Sequence, residues 1–555
     1  MDPRRGAAAA ALVLGTAMLA VSQMPHVWAL RTEWRGSLPD RTYAGYPVMY
    51  ADEAATYLAW IRQAREGRFF LSDRFTPEEH PRNYVNVLFS TMGAVAAVTG
   101  LSEQTVYSGA RVLLGAIVLW MLWAVAGVMF ERPWERLACY TTLLVAGGWE
   151  GAAGFLERNA GGPHVSSMSW WTPQISTFFS LMLFPHILAS FVCLLAAVLL
   201  LARAWSAPEK ARQAAVLGVA VGLVSAVLTF FHPTDSVTLL ALVWVAPLLL
   251  ALVERRPPWR EWRVSAWATA VWLPALLYNV YIFWTNPAMR AWDLQNLMET
   301  PSPGKLVLAA GLSGALSALA VVRFRRLSRA QRIMVAWVVC VIVLVYLPLR
   351  FQRRLLGGIQ FPLAVLATST LAWITARLSP RTAAGNGWPV LALTLVLLPL
   401  QVATPYYLLD VEMTKIRRGK FPGWLPTPTV SALAYLEREA PRDAVVLASY
   451  DIGNLIPSRT GLRCFLGHYA LTMGAQSKKQ DLARFFGGAE ADDPWRTAFL
   501  QRWGITYLLF TPHERNLGSF DPSARAWLRR VFHAGAAPGA EAEVYAVLNS
   551  RTPGT

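Results

Sequence analysis

Charge is scarce in this chain. Only 15% of its 555 residues are Asp, Glu, Lys or Arg, while 55% are hydrophobic, and the mean hydropathy is +0.35. Soluble domains carry about 25% charged residues, so a soluble globular chain is excluded. Cysteine is scarce as well. Of four, Cys139, Cys193 and Cys340 lie in or beside hydrophobic stretches and Cys464 lies in the polar tail. No CxxC or metal-type spacing occurs, which excludes a disulfide framework and a Cys-ligated metal. There is no Gly-rich phosphate loop, no Ser-His-Asp arrangement and no His-Glu-x-x-His motif. ATP-driven transport therefore has no support. Beyond an alanine-rich N-terminus there is no low-complexity tract, and no internal repeat. The net charge of +17 comes without a basic array interleaved with aromatics, so nucleic acid is not an expected partner.

What the chain does have is long apolar runs, several near the roughly 20 residues that cross a bilayer. We expect a mainly α, polytopic membrane protein of about eleven transmembrane helices, near 7–27, 108–130, 135–152, 179–202, 213–231, 236–253, 264–284, 304–322, 332–349, 357–376 and 388–407. The start, Met1-Asp2-Pro3-Arg4-Arg5 before an Ala/Leu/Val run, reads as an uncleaved signal anchor. Basic loops follow the even-numbered spans: 131–136, 203–212, 254–263, 323–329, then Arg377 with Arg381. Positive residues stay inside, which puts these loops and the N-terminus in the cytoplasm. The other side carries a long first outer loop, 28–107, a second segment, 153–178, with His164, Trp170 and Trp171, and everything after about 408. The expected division is a transmembrane domain over 1–407, a linker over 408–424 and an extracytoplasmic α/β domain over 425–555. In that tail, 430–439, 481–486 and 494–503 read as helices, and 444–448, 463–466, 505–510 and 543–548 read as strands. About 130 residues suffice for a core of its own.

The residue types that could carry chemistry cluster on the outer side. Asp52-Glu53 follow the first span and open an interfacial helix over about 51–66. One carboxylate there can act as general base toward an acceptor hydroxyl or amine, with the other orienting substrate or binding a cation. The same pair also suits a helix N-terminus. The apolar stretch near 85–99 is short for a span and reads as a helix in the outer leaflet. His232-Pro233-Thr234-Asp235 lie at the outer end of the fifth span, where ionisable groups are costly. His232 suits a phosphate or sugar and Asp235 suits orienting it, while Pro233 and Asp235 also suit a helix break and cap. Glu150 and His186 sit near the outer ends of the third and fourth spans. Arg350, Arg353 and Arg354 fall on the outer side, against the charge rule, and guanidinium forks suit phosphate. Asn279, Tyr281, Asn286, Trp292, Asp293 and Asn296 surround the outer end of the seventh span and read chiefly as interface.

The stretch Ala51-Asp52-Glu53-Ala54-Ala55-Thr56-Tyr57-Leu58 in a long first outer loop, with about eleven spans and an outward α/β tail, resembles the GT-C superfamily of integral-membrane glycosyltransferases. The likeness covers nearly the whole chain in layout and short stretches in motif. It implies transfer of a sugar from a polyprenyl-phosphate-linked donor to an acceptor glycan, lipid or protein on the outer face of the membrane, with inversion. Asp52 is then the base with Glu53 as neighbour, and Arg350, Arg353, Arg354, His186, His232 and Asp235 hold substrate. For the members that bind a divalent metal (Mg or Mn), Glu150 and Asp235 are the candidate ligands. The Trp-Trp-Asp motif of oligosaccharyltransferases is missing, and Trp170-Trp171-Thr172 is a poor substitute. The chain is closer to mannosyltransferase-like or aminoarabinose-transferase-like members. Membrane lipid is the other expected partner, and a bacterial inner membrane the expected location. Rival readings are a secondary transporter or flippase, which would ordinarily show internal repeats, a non-catalytic membrane scaffold, and a ligase using diphosphate-linked glycans.

Overall fold

The computed structural model describes residues 2–159, 172–206, 211–378, 386–487 and 492–548. His164, Trp170, Trp171 and Arg381 lie outside the described residues. The chain forms two compact units. The first is Met1–Pro25, Gly109–Asn279 and Met298–Met413. The second is His26–Ser108, Val280–Leu297 and Thr414–Thr555.

The first unit is helical. Eight helices among the described residues are long and apolar enough to cross a membrane: Pro3–Ser22, Glu103–Met129, Pro185–Ser206, Ala211–Thr229, Pro233–Glu254, Trp259–Thr285, Pro303–Val322 and Gln352–Leu378. The bent pair Trp388–Leu397 and Pro399–Arg417 makes nine if it counts as one. Length and composition make this a multi-pass membrane protein. Two of the sequence-expected spans are short helices. At 135–152 the helix is Pro133–Val145, because Gly147-Gly148 follow it, and paired glycines are poor helix formers. At 332–349 it is Arg329–Leu344, opened by a capping box between Ser328 and Gln331. The loop ends of this unit hold an ion-pair network, in which Glu261 accepts from Arg256 at 2.6 Å and Arg329 at 2.5 Å.

The second unit is mixed. A five-stranded sheet orders as β4-β3-β5-β7-β6, with β3 Val445–Leu447, β4 Arg463–Cys464, β5 Ile505–Phe510, β6 Leu528–Ala534 and β7 Ala542–Val547. β3 runs parallel to β4 and β5, while β7 is antiparallel to β5 and β6. The Ile-Thr-Tyr-Leu-Leu-Phe of β5 is rich in β-branched and aromatic side chains suited to a half-buried pleat. Val445, Leu447, Phe465, Phe485, Phe499 and Leu508 pack into its core with Phe510 and Phe520.

The early part of the chain joins this unit directly. β1 Arg41–Tyr43 pairs antiparallel with β2 Trp424–Pro426, Thr42 facing Leu425. The helix Ala51–Arg65 packs against Val87–Thr99. Gly93 makes that approach close, since a Cβ there would stand 2.3 Å from the Cβ of Ala64. Tyr57 stacks on Phe89 at 5.0 Å between ring centres. Arg62 reaches the tail, donating to the Arg459 carbonyl at 2.9 Å and pairing with Glu437 at 2.5 Å.

Candidate active site

The Ala51–Arg65 helix begins abruptly. Tyr50 precedes it with φ 62°, in the left-handed region, and contributes no side-chain cap. A non-glycine residue held there is strained. The first turn carries Asp52 and Glu53, which suit the positive end of the helix dipole. The pair therefore stands at a helix N-terminus, as the sequence allows, although the capping position itself is Tyr50. Asp52 Oδ1 accepts the Glu53 N–H at 3.0 Å.

The two carboxylates then differ. Asp52 lines a cavity of about 490 Å³, together with Tyr46, Tyr50, Tyr450, Asp451 and Asn454, and with the cations Lys415, Arg418 and Lys420. Glu53 is gripped from two sides. Its Oε2 accepts the Tyr57 hydroxyl at 3.0 Å, and its Oε1 lies 3.5 Å from His468 Nε2. Burial first, and the Glu53 charge second, push the Asp52 carboxyl above the ordinary carboxylate range, while His468 pulls it partway back. That is the direction that makes a carboxylate a better proton acceptor near neutral pH. Burial and the Asp52 charge push the Tyr450 phenol up to about 12, so it stays a protonated donor.

Beneath these groups lies a buried polar layer. His468 is 2% exposed. Burial works against its charged form, but Glu53, Asp52 and Asp73 outweigh it and hold the imidazole above its ordinary value. Burial pushes Asp73 up to about 7. Lys478, also buried, pairs with Glu78 at 2.7 Å and donates to Thr76 at 3.2 Å.

The remaining sequence candidates belong to the first unit. Pro233 opens the Pro233–Glu254 helix and His232 precedes it without a side-chain cap. Asp235, read from the sequence as orienting His232 or capping the helix, pairs with His232 Nδ1 at 3.0 Å and accepts from Ser190 Oγ. The His186 ring lies 5.6 Å from that of His232. His186, Ser190, His232 and Asp235 thus form one buried group. Arg353 and Arg354 lie in the turn Gln352–Leu356 and Arg350 two residues before it; Met298 N–H donates to the Arg350 carbonyl and Arg353 N–H to the Met298 carbonyl. Glu150 is buried at the start of the Glu150–Asn159 helix. Among the described residues no three His, Cys, Asp or Glu side chains converge as metal ligands. Asn286 caps the Pro287–Gln295 helix and donates to Pro81 and Asn83, a structural role.

Sequence reading passes over His468, Tyr57 and the three cations beside Asp52. The cations had a signal, the basic run Lys415-Ile416-Arg417-Arg418-Gly419-Lys420, in a stretch assigned to a linker. Tyr57 follows Glu53 by four residues, one helical turn. His468 had none, being a lone histidine in a loop.

No protein-family model and no curated protein matches the sequence. Solved structures do match in fold. The oligosaccharyltransferase of Archaeoglobus fulgidus, crystallised with a tethered acceptor peptide, is 11% identical with a TM-score of 0.52, over 90% of this chain and 69% of that one. The same organism's AglB, in complex with an inhibitory peptide and a dolichol-phosphate, is 11% identical with a TM-score of 0.52, over 97% and 75%. ArnT from Cupriavidus metallidurans, bound to undecaprenyl phosphate, is 12% identical with a TM-score of 0.55, over 98% of this chain and 99% of that one. The helical membrane unit, the sheet-bearing tail and this end-to-end likeness give the chain a GT-C-like fold, the one these solved structures share.

Proposed function

We propose that this chain is a membrane glycosyltransferase that moves a sugar from a polyprenyl-phosphate-linked donor to an acceptor on the outer face of the membrane. One observation carries the reading: within a GT-C-like fold, the cavity lined by the carboxylate Asp52 is also lined by Lys415, Arg418 and Lys420. A base and a group of cations are the two things this reaction asks of a protein.

The chemistry follows from those residues. Asp52 takes the proton of an acceptor hydroxyl. The freed oxygen lone pair forms a bond to the anomeric carbon. The bond from that carbon to the phosphate oxygen breaks, and its electron pair leaves with the lipid phosphate, inverting the centre. Cations fixed beside the developing charge stabilise it without reorganising. Lys415, Arg418 and Lys420 take that part in the cavity. Arg350, Arg353 and Arg354, with His232, His186 and Asp235, are proposed to meet phosphate or sugar from the membrane unit.

The neighbours support the substrate class, since one was solved with undecaprenyl phosphate and one with a dolichol-phosphate. The test is transfer by purified protein from a panel of undecaprenyl-phosphate-linked hexoses and aminopentoses. Wild type should turn over at least one donor and invert its anomeric centre. Asp52→Asn should lose about 10²- to 10⁴-fold, the usual contribution of a general base. Undiminished transfer by Asp52→Asn would remove the proposed base.

A further inference from the structure

The clamp on Glu53 has a use beyond holding a helix end. We infer that His468 is a positioning residue for the Asp52 base and acts through Glu53. The inference rests on the sugar-transfer reading above.

Asp52 lines the cavity and Glu53 does not. Glu53 Oε2 accepts the Tyr57 hydroxyl, and its Oε1 stands at ion-pair distance, 3.5 Å, from His468 Nε2, a buried nitrogen that makes no hydrogen bond among the described residues. Its own N–H is given to Asp52 Oδ1. Fixing Glu53 therefore fixes the backbone donor that orients Asp52. The Ala470 N–H lies 3.3 Å from Nδ1, which turns Nε2, the other ring nitrogen, toward Glu53.

His468 itself cannot drift. Its carbonyl accepts from the N–H groups of Leu471 and Thr472 at 3.1 and 2.9 Å. The Thr472 hydroxyl donates to the Phe75 carbonyl at 2.7 Å. Tyr57, the second jaw, is held by its stack on Phe89. The charged and titratable groups acting on His468 are Glu53 and Asp52 from the helix and Asp73 from the loop below. Asp73 Oδ1 accepts the Phe75 N–H at 2.8 Å, and its buried Oδ2 has no hydrogen-bond partner. This arrangement separates two neighbouring carboxylates: Asp52 exchanges the proton and Glu53 supplies a fixed charge.

The two partners of Asp52 act on it with opposite sign. Glu53 raises the Asp52 pKa and His468 lowers it. A base must be deprotonated to work, so the acidic limb of the rate profile follows that pKa. Glu53→Gln should move the limb to lower pH. His468→Ala should move it to higher pH and lower kcat about 10²-fold, the scale of a misplaced catalytic group, with KM little changed. His468→Gln, which can present an N–H to Glu53, should recover part of kcat. Profiles are measured with the undecaprenyl-phosphate sugar that wild type uses.

The second measurement needs no donor. Imidazole resonances of full-length protein carrying labelled histidine, assigned by loss in His468→Gln, should show the His468 midpoint falling in Glu53→Gln. A His468→Ala profile matching wild type in limb and kcat would overturn the positioning role. So would a His468 midpoint indifferent to Glu53→Gln. A midpoint that responds, in a protein that turns over no donor, would keep the clamp and overturn the sugar-transfer reading and the catalytic role with it.

Discussion

His468 Nε2 stands 3.5 Å from Glu53 Oε1, and the two residues come from the two ends of the chain. Their contact gives the acidic pair an asymmetry. The carboxylate on the cavity wall has its proton affinity raised by burial and by its neighbour, and that neighbour faces His468 and Tyr57.

A first expectation concerns pH. Burial and the Glu53 charge hold the Asp52 carboxyl above its ordinary value. Activity should therefore fall as pH drops through a midpoint above the roughly 3.9 of an unperturbed aspartate. A kcat profile that stays flat below that value would contradict Asp52 as base.

The cations of the cavity should answer differently from the base. Arg418→Ala and Lys420→Ala each remove one charge from the wall shared with Asp52. Both should weaken transfer by about 10-fold or more, equivalent to about 1.4 kcal/mol. The pH midpoint that belongs to Asp52 should stay. Steady-state kinetics across pH checks both halves.

The sheet domain offers a stability test away from the cavity. Glu514 is fully buried and accepts the N–H groups of Ser449 at 2.6 Å and Thr511 at 2.7 Å. Glu514→Ala leaves both donors without their acceptor, and each such loss costs about 1–3 kcal/mol. A destabilisation of about 3 kcal/mol is expected, read as a lower unfolding temperature. Glu514→Gln should lose less, because one carbonyl oxygen still accepts.

Gly453 is a site where a single methyl group should be felt. A Cβ there would stand 1.8 Å from the Leu466 carbonyl oxygen, a backbone atom with no side-chain freedom to yield. Leu466 is two residues before His468. Gly453→Ala should therefore lower stability and shift the His468 titration together, which thermal unfolding and histidine resonances report separately.

Much of this architecture is legible in the residues alone. The helix read at 51–66 spans Ala51–Arg65, and the strand read at 505–510 spans Ile505–Phe510. Strong local patterns produce both. β6 escapes because Leu528–Ala534 carries Arg529, Arg530 and His533 on an edge of the sheet, where polar side chains hide the strand signal. β1 and β2 escape because three-residue strands have no period to detect, and their partners are far apart in sequence. The site divides in the same way. Asp52 and Glu53 stand out as scarce charges in an apolar chain. Their neighbours His468, Lys415, Arg418 and Lys420 are gathered by tertiary packing, which no local window reveals.

The pairing of β1 with β2, and the grip of Arg62 on Arg459, bind an early helix to late-made segments. Synthesis then has an order. A ribosome completes the Ala51–Arg65 helix long before it reaches the turn that bears His468. Under the sugar-transfer reading, a nascent or prematurely terminated product owns a base it cannot yet hold in place. Such a product stays mute toward the lipid donor until translation has passed the turn that bears His468.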